Sequence, residues 1–109
     1  MNVKLIPSKE FLHRLKHLAK KYKSMGDDYR ALKKSLLENP FQGTDLGQGI
    51  HKVRLSITSK GKGKSGGARV LTLVMLVSDD AEVTLLTIYD KGEISNVSDS
   101  YIRSLIRNL

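Results

Sequence analysis

The stretch SKGKGKSGGARV, residues 59–70, interleaves Lys60, Lys62, Lys64 and Arg69 with Gly61, Gly63, Gly66 and Gly67. Glycine lets backbone N–H groups come close to an anion, and the arginine guanidinium is a planar fork that matches phosphate oxygens. Just upstream, IHKVRLSI alternates cleanly, so that Lys52 and Arg54 leave a strand on the side opposite to His51, Val53, Leu55 and Ile57. Lys91 follows the strand VTLLTIY, whose last residue, Tyr89, could offer a ring on which a base stacks. The chemistry implied is a phosphodiester held on the basic face of a sheet.

Other chemistries fit less well. GKS at residues 63–65 ends like a nucleotide-binding loop, but that pattern needs glycine where Thr58 stands and a helix where the apolar run RVLTLVMLV predicts a strand. His13 and His17 are four apart on one helix, with no HExxH pattern and no third ligand, and His51 belongs to the inward face of its strand as a structural residue. No Ser/His/Asp arrangement is apparent, and the carboxylates gather at turns instead of pairing on a strand. There is no cysteine, which excludes disulfides and thiolate metal sites.

Charge points the same way. Residues 1–40 carry ten Lys and Arg against four Asp and Glu, residues 41–78 six against one, and residues 79–109 three against six, within a net charge of +8. An excess confined to the first two thirds suits nucleic acid, an acidic protein or an anionic membrane, although lysines also serve simply to solvate helix faces. The apolar runs are too short to span a membrane and the N-terminus MNVKLIPSKEF has no secretion-signal core, so the expectation is a cytoplasmic protein.

The elements that must position these residues form a single domain over residues 1–109. NVKLI predicts a short strand, and Ser8 caps a helix with Phe11, Leu15, Leu18, Ala19 and Tyr22 on its apolar side. Gly26 punctuates that helix, Asp27 or Asp28 caps the next, and Tyr29, Leu32, Leu36 and Leu37 mark its inner face up to Asn39-Pro40. FQGTDLGQG reads as a loop before three strands joined by short turns, and Ser98 caps a terminal helix that buries Tyr101, Ile102, Leu105, Ile106 and Leu109. The expected fold is α+β: an N-terminal strand and a helical hairpin on an antiparallel sheet of about four strands, closed by a C-terminal helix.

Three segments together, LLENPFQGTDLGQGIHKVRL, SKGKGKSGGARV and LLTIYDKGE, resemble the RelE/ParE superfamily of bacterial toxin-antitoxin toxins, and in particular its HigB-like branch. The resemblance implies a RelE-like fold and the toxin of a type II system, an endoribonuclease that cuts mRNA in the ribosomal A site without a metal or other cofactor. Its partners would be a cognate antitoxin, the ribosome and mRNA. The 2′-OH would attack its neighbouring phosphate, with Lys52, Arg54, Arg69 and Lys91 as catalytic residues and Lys60, Lys62, Lys64 and Tyr89 as RNA contacts. Val97 stands near the position of the family's late tyrosine, which leaves Tyr89 or Tyr101 to replace it. The same superfamily also implies two alternatives, a ParE-like inhibitor of DNA gyrase and a non-catalytic RNA-binding remnant.

Overall fold

The structure, a computed structural model, describes all 109 residues. In chain order they form β1 (Val3–Pro7), α1 (Lys9–Lys21), α2 (Met25–Glu38), β2 (Thr44–Gly47), β3 (Ile50–Leu55), a single 3-10 turn (Thr58–Lys60), β4 (Ala68–Val77), β5 (Asp80–Asp90) and α3 (Asp99–Arg107). One mixed sheet runs in the order β1-β5-β4-β3-β2. The last four strands are an antiparallel meander, while β1 lies parallel to β5, with Val3 opposite Ala81 and Pro7 opposite Leu85. The α+β expectation therefore holds with one strand more than foreseen. The segment expected to be only a loop contains β2, which pairs Thr44 with Lys52 and Asp45 with His51.

The two helices begin and end for local reasons. Ser8 Oγ accepts from Phe11 N–H at 3.0 Å and donates to the Leu86 carbonyl at 3.0 Å, so one hydroxyl caps α1 and ties it to β5. Gly26 does not end α1 as expected; the helix stops at Lys21 and Gly26 lies in the first turn of α2. The two helices cover one face of the sheet, where Phe11, Leu18, Met25, Leu32 and Leu36 meet Val53, Leu55, Val70, Val83, Leu85 and Ile88. Burying a side chain of this size contributes about 1.5–3 kcal/mol, so this layer supplies most of the driving force for folding. Leu37 faces outward instead of inward, 52% exposed.

The opposite face has a smaller cover. α3, capped by Ser98 Oγ accepting from Tyr101 N–H at 3.1 Å, sets Leu105 over Leu71 and Leu86, with Tyr101, Ile102 and Ile106 half-buried around them. Leu109 lies outside this contact, 60% exposed. No helix is long and apolar enough to cross a membrane.

A β-bulge decides which side chains share this second face. Leu71 is opposite Thr87 and Thr72 is opposite Leu85, which leaves Leu86 without a partner. Strict alternation from Val83 and Leu85 would carry Tyr89 to the helical-hairpin face. The extra residue reverses the phase: Leu86 packs under α3, Thr87 Oγ1 sits 2.9 Å from the Tyr101 hydroxyl, and Ile88 returns to the main core. Tyr89 thereby joins Arg69 on one face, and Asp90 passes to the other.

Candidate nucleic-acid interface

The end of the second face that α3 leaves uncovered is basic. Arg54 of β3 is opposite Arg69 of β4, and Arg69 is opposite Tyr89 of β5, so the three form one row across adjacent strands. Lys52 is two residues along β3 from Arg54, on the same face and opposite Leu71. Strands in a sheet are about 4.8 Å apart, which puts the whole row within roughly 10 Å. Like charges directly opposite each other are destabilising, and no carboxylate pairs with Lys52, Arg54 or Arg69. The four ion pairs lie elsewhere: Glu10 with Arg14, Glu93 with Lys21, Asp27 with Arg30 and Asp90 with Lys60. Lys52 and Arg54 are thus left without a carboxylate partner in the chain and available to an anion from outside.

The glycine-rich loop beside this row is fastened at both ends and in the middle. At its start, the buried Asp28 accepts from Thr58 N–H at 3.0 Å and from Thr58 Oγ1 at 2.6 Å, and Ser59 N–H donates to Ser24 Oγ at 2.9 Å. Next, Lys60 Nζ reaches Asp90 Oδ1 at 2.6 Å. At its far end Arg69 donates from Nη1 to the Lys64 carbonyl at 2.8 Å and from Nη2 to the Ser65 carbonyl at 3.2 Å. Gly67 is required here by space: a Cβ would run into the Leu55 carbonyl and come within 3.0 Å of Ile57 N. What remains free on the loop is the pair of exposed ammonium groups on Lys62 and Lys64.

The sequence-predicted residues therefore divide into groups. Lys52 and Arg54 project from β3, Lys62 and Lys64 crown the loop, and Arg54 and Lys64 line one cleft of about 280 Å³. Lys91, one residue past β5, continues the ladder by donating its N–H to the Gly67 carbonyl at 3.0 Å, and its ammonium donates to the Ser95 carbonyl at 3.2 Å. Arg69 lies beneath the loop, 7% exposed, with both terminal nitrogens engaged by carbonyls. It adds charge to the site while acting chiefly as the peg that holds the loop.

Lys60 departs from the expectation. Its side chain is only 15% exposed and its charge is neutralised by Asp90 on the helical-hairpin face, so it is no part of the open cluster. His51 is buried, with Nδ1 3.3 Å from the Gly49 carbonyl and its ring edge-on to Phe41, in the structural position expected. His13 and His17 are exposed on α1.

Two further residues shape the site, of which only Asp90 was passed over in the sequence. Asp90 accepts from Lys60 Nζ, from the Tyr22 hydroxyl at 2.6 Å and from Gly92 N–H at 2.9 Å. Burial alone would raise its carboxyl, but these three donors outweigh it and hold the group below the ordinary carboxylate value. Asp90 stands between Tyr89 and Lys91 and so joins the loop, α1 and the end of β5. Its position beside YDK was visible in the sequence, but nothing there signalled partners 30 and 68 residues away. Tyr101 is the second: its hydroxyl donates to Glu10 at 2.9 Å, linking α3 to α1 across the edge of β5.

No family model matches the chain. Its fold is that of a toxin of known structure: it superposes on E. coli toxin RelE, solved as a double mutant in the free state, with a TM-score of 0.60 and 19% identity over all of both chains. That likeness establishes a RelE-like fold, reached here by a sequence largely different from that of RelE.

Proposed function

We propose that this protein is the toxin of a type II toxin-antitoxin system, of the HigB-like branch, and that it cleaves mRNA on the ribosome. The observation that carries the reading is the row Arg54, Arg69 and Tyr89, flanked by Lys52, Lys62, Lys64 and Lys91, on a fold shared with RelE. The likeness to RelE supports toxin activity; the basic row supports RNA as the target.

In this reading the RNA backbone lies along the uncovered end of the sheet. Arg54 and Lys91 bind the scissile phosphate, and Lys62 and Lys64 hold the strand beside it. The 2′-OH attacks the adjacent phosphorus, its proton passing to a lysine, and the bond to the 5′-oxygen breaks, that oxygen taking a proton from water, to give a cyclic phosphate and a 5′-hydroxyl. Lys52, two residues along β3 from Arg54 and on the same face, is our candidate to take the proton. Arg69 keeps the loop in place and adds to the positive field that stabilises the phosphorane-like transition state. An antitoxin offering acidic surface would silence the protein by covering this face.

Primer extension on translated mRNA after induced expression tests the reading. The wild-type protein should cut within codons, and Arg54→Ala, at an exposed position, should lower cleavage by about 10²–10³-fold without lowering the melting temperature. Uncut transcripts with raised DNA-damage signalling would turn the assignment to gyrase poisoning, and RNA binding without cleavage would turn it to a non-catalytic RNA binder.

A further inference from the structure

The basic row ends at Tyr89, whose ring is only 5% exposed and presents no open face for a base to stack on. The other end of the same sheet face is open and apolar. Past the bulge β4 alternates regularly, so Leu71, Leu73, Met75 and Val77 share this face. α3 covers Leu71 and leaves the rest: Leu73 is half-buried, while Met75 is 57% exposed and Val77 49%. Beside Leu73 a groove of about 370 Å³ separates β3 and β4 from α3; Ile50, Ile102 and Ile106 wall it, and Arg103 and Arg107 also line it.

The two borders of this apolar strip carry opposite charge. Arg103 and Arg107 are exposed on α3; at the turn from β4 to β5, Asp79 and Asp80 are exposed and Glu82, opposite Met75, is half-buried. None of these five has an ion-pair partner in the chain, and Lys4, opposite Glu82 on β1, forms no ion pair either. Counted with that lysine, the two borders cancel, in a chain whose net charge is +8. Copies of so basic a chain repel one another wherever their cationic faces meet, and this neutral strip is where they can approach. A two-fold axis through the strip sets the β4–β5 turn of one copy against α3 of the other, so that Arg103 and Arg107 face Asp79 and Glu82 at both rims, with Met75 near the axis. A surface that holds both halves of a charge match on either side of an apolar centre is complementary to itself.

We infer that two copies of this chain associate through the strip as a symmetric dimer, with Met75 at the centre and arginine–carboxylate contacts at both rims. Arg69 is six residues back along β4 from Met75, roughly 20 Å, so the dimer leaves both basic rows uncovered. The inference goes beyond the RNA reading and stands whether or not the row binds RNA. A standard interface engages about 20–30 residues on each partner, more than this strip offers, so the association is reversible, at roughly micromolar concentration.

Sedimentation velocity tests it: the wild-type chain should be dimeric at about 100 µM and monomeric at about 1 µM. Arg103→Glu with Arg107→Glu, and Asp79→Lys with Glu82→Lys, should each weaken self-association about tenfold or more, because both rims then bring like charges together. Mixing these two proteins should restore a dimer at least as tight as wild type, since every rim contact is again between opposite charges. Met75→Lys, at an exposed position, should also weaken the dimer about tenfold, and neither reversed protein should rescue it. A wild-type chain that stays monomeric at the higher concentration overturns the inference, as does a mixture of reversed proteins that associates no better than its components. If the NMR signals of Met75 and Val77 in that monomer shift only when the cognate antitoxin is added, the strip belongs to that partner and the dimer is refuted.

Discussion

Replacing Asp90 by asparagine removes a charge from the point where the loop, α1 and the end of β5 meet. The carboxylate is 1% exposed and receives three donors, one of them the Lys60 ammonium at 2.6 Å. An asparagine keeps one acceptor oxygen, for which Tyr22 and Gly92 N–H must compete, and leaves Lys60 charged within a side chain only 15% exposed. Breaking one half of such a buried pair costs about 3–5 kcal/mol; because Lys60 can swing partly into water, the lower end, about 3 kcal/mol, is expected. Against a total stability of roughly 5–15 kcal/mol this is a large loss, worth about 10 °C or more in melting temperature. Urea unfolding should show a lower midpoint at an unchanged slope. A Lys60→Met, Asp90→Asn double variant should lose less than the two single variants added together, because no charge is then stranded.

The effect has a pH dependence of known sign. The folded-state carboxyl lies below its ordinary value of 3.8, so its contribution is fully present above that pH and is lost as pH falls through the folded value. The stability gap between wild type and Asp90→Asn should therefore be constant from neutrality down to about pH 5 and close in stronger acid. A loss under about 1 kcal/mol at neutral pH, or a gap that persists in acid, would refute the reasoning that Asp90 anchors the loop as an ion-paired carboxylate.

Gly67→Ala should cost at least about 1–3 kcal/mol in urea unfolding, since the added methyl meets the Leu55 carbonyl, which the β3–β4 pairing holds in place. Neutralising Lys62 and Lys64 together as glutamines should leave stability within about 0.5 kcal/mol and reduce the salt slope of single-stranded RNA binding by about 0.7 per lysine; an unchanged slope would mean that neither touches the strand.

The one-dimensional pattern carried much of the fold and of the site. Alternation in IHKVRLSI placed Lys52 and Arg54 opposite Val53 and Leu55, and the structure keeps them there because β3 runs without a bulge against β4. Ser8 and Ser98 were readable as caps because an N-cap is a local device that needs only the next three residues. β2 was missed because all four of its residues are exposed, with no apolar alternation to announce it. The parallel pairing of β1 with β5 was missed because it joins segments almost 80 residues apart.

By itself, then, the order of residues determined an α+β domain with a helical hairpin, basic positions on one strand face and a cationic loop between two strands. Which of those cations stay available was decided only by the tertiary structure. Lys60 is neutralised because Asp90 reaches it from another strand, and Arg69 is turned to loop carbonyls because the chain doubles back over it. Tyr89 belongs to the site at all because unpaired Leu86 reverses the phase of β5. Ion pairing and register both depend on which distant groups arrive alongside, and a local pattern along the chain contains no record of that meeting.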